Sequence, residues 1–337
     1  MSVQIETRMT PALNGQASNG HAVKERKDMW EIPSSLWKPM IHPRAKVVGE
    51  EVNNYFLQHW NFPDDLAKST FLKTGFSRVT CLNYPLAKDD RIHFACRLLT
   101  ALFLIDDMLE DVSFVDGEKL NNRLIELSRG PQYATPDRSI PAEFVLFDLW
   151  ESMRAFDLEL ANEVLEPTFL FMRSQTDKGR ASITELGEYL RYREKDVGKA
   201  LLSALMRYLM ELRPTPQEMI ALKPLEENCS KHVSIVNDIY SYDKELLASK
   251  MGHQEGSSLC SAVKVVAAET GLSVAATKRV LWHMVREWEL THNDMCARLG
   301  PSSQAVRDYI RGLQYQMSGN EVWSATTPRY PQTVQHV

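Results

Sequence analysis

Between Lys88 and Asp111 the apolar residues Ile92, Ala95, Leu98, Leu99, Leu102, Phe103 and Ile105 recur at intervals of three and four, and the pattern then runs directly into acids. That spacing is the period of an α-helix and not of a strand, whose side chains alternate at every second residue. The acids belong to the motif DDMLED: Asp106, Asp107, Glu110 and Asp111. Carboxylates that end so apolar a helix are costly to bury unless they are paired or bind a cation. Any fold of this chain must therefore hold a largely buried helix with a strongly negative end.

A second motif, NDIYSYDKE, has the same character. Asn237, Ser241 and Glu245 follow at steps of four, and each such step turns a helix by only about 40° past a full turn, so their oxygens form one stripe. Asn and Ser have no propensity reason to sit inside a helix. The flanking Val233, Ile235, Val236 and Ile239 are apolar, which predicts a central helix. Oxygen-only stripes on two facing helices suit a hard cation, Mg²⁺ above all, and Mg²⁺ held in this way usually also meets phosphate. Alone, the first motif is equally a solvated helix end and the second a polar stripe serving neighbouring helices. Together they point to an enzyme that handles a diphosphate.

The rest of the chain reads as helices too. Val47, Val48, Val52, Tyr55 and Phe56 keep helical spacing up to Pro63. Helical patterns follow over 142–178 with a break or kink at Pro167, 184–210 with a joint at Gly198, 225–249, 273–298 and 302–317, after which SATTPRY from Ser324 reads as irregular. No alternating run of strand length occurs, and no fixed-period repeat. The class is all-α, with about ten or more helices around one core. Residues 1–35 are polar and read as a disordered tail, 36–330 as a single domain, and 331–337 as a short C-terminal tail.

Composition narrows the function. The chain has 337 residues and a net charge of −5, with both signs interspersed, which argues against a nucleic-acid partner. The longest apolar stretch, 98–105, falls well short of the ~20 residues a membrane span needs. The opening MSVQIETRMT lacks the apolar core of a secretory signal. The cysteines, Cys81, Cys96, Cys229, Cys260 and Cys296, are odd in number and unclustered, which fits reduced thiols rather than a disulfide frame or zinc site. A cytoplasmic protein without membrane insertion is expected. Basic residues gather in RYREKDVGK (Arg191, Arg193, Lys195, Lys199 around Asp196), at Lys244, and at Arg329 beside Tyr330. Each is equally a solvated charge or a donor to phosphate oxygens. If a carbocation forms when diphosphate leaves, Phe103, Phe169, Phe171 and Trp323 are candidates to hold it, through cation–π contacts of about 2 kcal/mol when desolvated.

These motifs, with the stretches GFSRVTCL, DDRIHFACRLLT, RYREKDVGKALLSALMRY and EENCSKHVSIVNDIYSYDKE and the final RY, resemble those of the class I terpene synthases. More closely, the chain is similar to the fungal sesquiterpene cyclases of the aristolochene synthase type, over about residues 36–330. The resemblance implies a single-domain helical bundle surrounding an apolar active-site cavity. It implies three Mg²⁺ ions and farnesyl diphosphate as substrate, ionised to an allylic cation and cyclised to an aristolochene- or eremophilane-type product. It implies that Asp106 serves the metals, that Asn237, Ser241 and Glu245 hold another metal, and that Arg193, Lys244, Arg329 and Tyr330 bind diphosphate. Asp196, three residues after Arg193, matches the linking acid of that pattern, and Phe103, Phe171 and Trp323 match its aromatic contour, Phe171 being preferred to Phe169. No role follows for Asp107, Glu110 or Asp111. One departure stands out: Asn83 of CLNYP occupies the place of a Tyr, and Tyr84 beside it should point about 100° away on a helix. The rival readings are a chain-elongating prenyltransferase, which would usually carry a second aspartate-rich motif, and a non-catalytic helical isoprenoid-binding protein. A homo-oligomer is possible in either case.

Overall fold

The computed structural model describes residues 32–330. Among them are thirteen α-helices, one 3₁₀ turn and no strand. In chain order the helices are α1 (Ala45–His59), α2 (Asp65–Thr74), α3 (Phe76–Asn83), α4 (Ile92–Leu109), α5 (Phe114–Arg129), α6 (Pro141–Phe156) and α7 (Leu158–Gln175). After the 3₁₀ turn (Lys178–Ser182) come α8 (Leu186–Asp196), α9 (Lys199–Met210), α10 (Pro216–Met251), α11 (Ala262–Thr270), α12 (Val274–Arg298) and α13 (Gln304–Thr326).

The predicted acid-ended helix is α4, buried on nearly every side through Ile92, Ala95, Cys96, Leu98, Ala101, Leu102 and Ile105. The predicted central helix is α10, 36 residues long. It starts at a reciprocal cap: Glu218 N donates to Thr215 Oγ1 (3.3 Å) and Thr215 N donates to the Glu218 carboxylate (2.7 Å), with Pro216 in the first turn, where its missing N–H costs nothing. Its main neighbours are α13 and α12, while α13 also crosses α3 and α7 packs on α9. One large apolar core joins α1, α4, α6, α7 and α9. A second core joins α8, α10, α11 and α12. A small third cluster, Val79, Leu82, Trp323 and Tyr330 with Phe103 against it, closes one end of the cavity.

Several sequence expectations change in detail. The break in 142–178 falls at Asp157, and Pro167 lies inside α7, which leaves only the kink of the two expectations there. Asp157 adopts an extended conformation and caps the next helix by accepting from Leu160 N, so a side chain that competes with the helical backbone ended α6. The joint at Gly198 is present with φ of 70°, and a Cβ there would lie 3.1 Å from the Phe171 ring. Glycine is needed for both reasons. SATTPRY is helical as far as Thr326, because α13 runs on past 317. Helix α3 ends at Asn83, so Tyr84 is not a helical neighbour. It is fully buried and donates its hydroxyl to Leu202 O (3.0 Å). All five cysteines are free.

Most of the expected 1–35 tail lies outside the described residues, as does all of 331–337. Where the description begins, Pro33 O accepts from Arg286 (2.6 Å) and Leu36 N donates to Glu289 (2.7 Å), so this segment lies along α12.

Candidate active site

The predicted site residues line one cavity. Helix α4 contributes Phe103 and Asp106, α7 Phe171, α8 Arg193, α10 Asn237, Ser241, Lys244 and Glu245, and α13 Trp323, with Arg329 and Tyr330 from the segment that follows. The stripes of α4 and α10 thus face one space, and they meet it at the C-terminal ends of both helices. Phe169 is elsewhere, buried beneath the guanidinium groups of Arg129 and Arg173. Of the acids left without a role, Glu110 lines the cavity, whereas Asp107 and Asp111 border a separate groove beside α2.

The floor is apolar. Val79, Leu99, Leu102, Leu201, Leu202 and Val233 surround the three aromatic rings. Phe103 stacks on Phe76 (4.7 Å between centroids) and lies 6.0 Å from Trp323, which meets Tyr330 edge-on at 5.6 Å. Ring faces of this kind attract a cation in a space without water. Asn83 also reaches this part of the cavity, and its amide oxygen has no hydrogen-bond partner.

The mouth is densely charged. Burial, the charge of Asp107 and that of Glu110 lift Asp106 to about 6, against Lys244 and Arg329, which lower it; Asp106 accepts from the Gln175 amide (2.7 Å). Arg329 grips Asp107 with both nitrogens (3.1 and 2.6 Å). Asp107 is held below the usual carboxylate range by Arg329 and Lys244, which outweigh its burial. Lys244 bonds Glu110 (2.7 Å) and lies 3.7 Å from Asp107. The two basic donors at this wall are therefore neutralised by the first motif.

Arg193 forms the opposite knot. It donates to Asn237 Oδ1 (2.7 Å), is paired with Asp196, and lies 3.4 Å from Asp238. Asn237 in turn donates to the Tyr330 hydroxyl (2.8 Å). Asp238 lies beneath this network, completely buried, accepting from the Tyr189 hydroxyl (2.5 Å) and Ala262 N (2.8 Å). Burial pushes it up to about 7 despite Arg193.

The oxygen set fits a divalent cation. Ser241 Oγ is buried without a hydrogen-bond partner, and Glu245 makes no hydrogen bond or ion pair among the described residues. Carboxylate oxygens of Asp106, Asp107 and Glu110 lie within 4.8 Å of one another, and burial, with the charges of its two neighbours, raises Asp106. These are hard oxygen donors, which Mg²⁺ prefers. The other group with ligand-like spacing, His232, Glu289 and Glu321, does not fit. Arg286 already bonds Glu289 (2.6 Å) and Glu321 (2.8 and 2.7 Å), so a guanidinium fills that place.

Sequence reasoning missed Gln175, Arg180 and Asp238. Asp238 sits inside the quoted motif, but on the helix side facing α8 and α11, where only tertiary packing reveals its partners. Gln175 and Arg180 lie at the end of α7 and in the 3₁₀ turn, with no motif around them.

A long-helix bundle that opens an apolar cavity between an aspartate-rich helix end and an Asn/Ser/Glu stripe defines the all-α terpene synthase class. The chain belongs to that family: residues 97–289 match the model of terpene synthase family 2, C-terminal metal binding. It is 62% identical over 302 residues to an aristolochene synthase of Penicillium roqueforti, covering 88% of each chain. It is 56% identical to an aristolochene synthase of Aspergillus terreus, covering 89% of this chain and 94% of the relative. The crystal structure of aristolochene synthase from Penicillium roqueforti superposes with a TM-score of 0.78 at 59% identity, over 88% of this chain and 100% of that one. No helix among the described residues is long and apolar enough to cross a membrane.

Proposed function

We propose that the protein is a Mg²⁺-dependent sesquiterpene cyclase that ionises farnesyl diphosphate and closes the resulting cation to a hydrocarbon of the aristolochene or eremophilane type. The observation that carries this reading is the convergence of the two oxygen motifs, the cationic donors and the aromatic rings on one cavity. The names of the fungal relatives support the product class.

Asp106 on one wall, and Asn237, Ser241 and Glu245 on the other, would hold the ions. Bound there, Mg²⁺ would neutralise charge on the diphosphate oxygens as a Lewis acid. Arg193, Lys244, Arg329 and Tyr330 then act as preorganised donors to the leaving group. Arg193, Lys244 and Arg329 must exchange bonds to Asn237, Glu110 and Asp107 for diphosphate oxygens, whereas the Tyr330 hydroxyl only accepts from Asn237 and keeps its proton to donate. Such donors favour the separated diphosphate over the intact ester, which is what accelerates ionisation. The C–O bond breaks, the electron pair leaves with diphosphate, and the allylic cation stays against Phe103, Phe171 and Trp323. The apolar floor excludes water that would quench it and folds the chain for ring closure, which ends with loss of a proton to the departed diphosphate.

The test is incubation with farnesyl diphosphate and Mg²⁺, with and without isopentenyl diphosphate, followed by headspace mass spectrometry. A volatile C₁₅ hydrocarbon formed without the second substrate is expected. A longer diphosphate formed only with it would assign chain elongation, and ligand binding with no diphosphate release would assign a non-catalytic carrier.

A further inference from the structure

Arg180 is a cavity-lining cation that feels the charges of Asp196 and Asp106 but forms no hydrogen bond or ion pair with a carboxylate among the described residues. It stands in the 3₁₀ turn after α7, and among the described residues its guanidinium bonds only main-chain carbonyls, Gln175 O (3.0 Å) and Ser258 O (3.4 Å). Its Nε is buried and has no partner. The other basic residues of the mouth are all held by acids: Arg193 by Asp196, Lys244 by Glu110 and Arg329 by Asp107.

The second carbonyl belongs to the loop that follows α10, and that loop is seated on the end of α4. His253 N donates to Glu110 O (3.2 Å), and Glu255 accepts from Phe114 N (2.9 Å). Gly256 is so close that a Cβ would fall 2.2 Å from Leu109 O. Residues 256–260 form part of the cavity wall. Arg180 therefore ties the end of α7, where Gln175 holds Asp106, to a loop that closes one side of the mouth.

Resting on the reading of the site given above, we propose that Arg180 is a further diphosphate-binding residue and that it couples anion binding to seating of the 252–261 loop. The guanidinium spends one N–H of each terminal nitrogen on a main-chain carbonyl, which leaves the second N–H of each for an acceptor in the cavity, and charge-assisted bonds to phosphate oxygens are the strong ones. Because the same fork holds Ser258 O, an anion that fixes the guanidinium also fixes the loop.

The test is titration of inorganic diphosphate, with Mg²⁺ present, into wild type, Arg180→Gln and Arg180→Lys, with farnesol binding as control and hydrogen exchange of the 252–261 amides as second readout. Arg180→Gln is expected to weaken diphosphate binding about tenfold or more, leave farnesol binding unchanged and abolish the protection that diphosphate gives the loop. Arg180→Lys is expected to keep diphosphate affinity within about threefold, since the charge remains, yet lose the loop protection, because one ammonium does not span both carbonyls. Wild-type affinity and wild-type protection in Arg180→Gln would overturn the proposal. Should that variant fail to fold, the lysine variant decides: matching wild type in both readouts overturns the proposal, and retained affinity without protection supports it. Wild-type protein that releases no diphosphate from farnesyl diphosphate would overturn the reading of the site itself, whereas active wild type with unaltered variants overturns only the role of Arg180.

Discussion

Asp106 carries a cost that the proposed metal-binding role would offset. Its carboxyl is lifted from the ordinary 3.8 to about 6, first by burial and then by the charge of Asp107. Between those two values the folded protein binds more protons than the unfolded chain, so stability from this group is lost as pH rises through the window. At pH 8 the ionised carboxylate therefore strains the ligand-free protein, and Asp106→Asn should relieve it. The expected outcome is a Tm higher by about 2 °C or more at pH 8, with turnover at least about tenfold lower. Differential scanning calorimetry beside a diphosphate-release assay checks both halves. A variant that loses Tm would show that the carboxylate stabilises the fold. Asp238 resembles Asp106 in being raised, to about 7, but one of its oxygens accepts from both Tyr189 and Ala262 N, and the other lies 3.4 Å from Arg193 without a hydrogen bond.

At the scale of elements, two glycines of α13 set how closely that helix approaches its neighbours. An added Cβ at Gly319 would stand 2.5 Å from Leu82 O and 3.1 Å from Asn83 N, main-chain atoms that cannot step aside. At Gly312 the obstacle is the thioether of Met206, a side chain that can change rotamer. Gly319→Ala should therefore destabilise the protein by about 1–3 kcal/mol even after the gain in helix propensity, and shift the product mixture through Asn83 and Trp323. Gly312→Ala should cost less. Urea unfolding of the two variants makes the comparison, and equal midpoints would contradict it. The long elements were readable from their period: α4 shows it although no side chain caps its start, whereas α10 begins at Pro216, ahead of the predicted 225, where the Thr215 cap marks the start and the apolar period does not. That the two motifs meet at one cavity was legible because oxygen residues at helical spacing have few other uses. What the sequence hid was of two kinds. The end of α6 and the starts of α2, α5 and α11 rest on short-range caps, Asp157, Asp64, Ser113 and Ser261, that an apolar period does not display. The burial of Tyr84 against Leu202 O and the contribution of Gln175 and Arg180 depend on partners distant in sequence.

For the whole molecule, the pH response depends on groups far from the cavity as well. His292 on α12 is fully buried, neither ring nitrogen has a partner, and burial, with His232 and then Lys199, pushes it down to about 4. The unfolded chain takes up this proton near 6.5, so stability is lost as pH falls from about 6.5 toward 4, by about 3 kcal/mol at most. His292→Phe should flatten that part of the Tm-against-pH curve relative to wild type, and a parallel curve would exclude His292 as its source. The cavity itself is assembled from α4, α7, α8, α10 and α13 together, so its chemistry is a property of the bundle and not of either motif alone. The most direct measurement is the rate of diphosphate release from farnesyl diphosphate at limiting Mg²⁺ by wild type, Asn237→Leu and Glu245→Ala. The expected result is release by wild type and at least a tenfold loss in each variant, partly recovered at high Mg²⁺. Near-normal rates in both variants would contradict the claim that facing oxygen stripes draw the leaving group from the substrate.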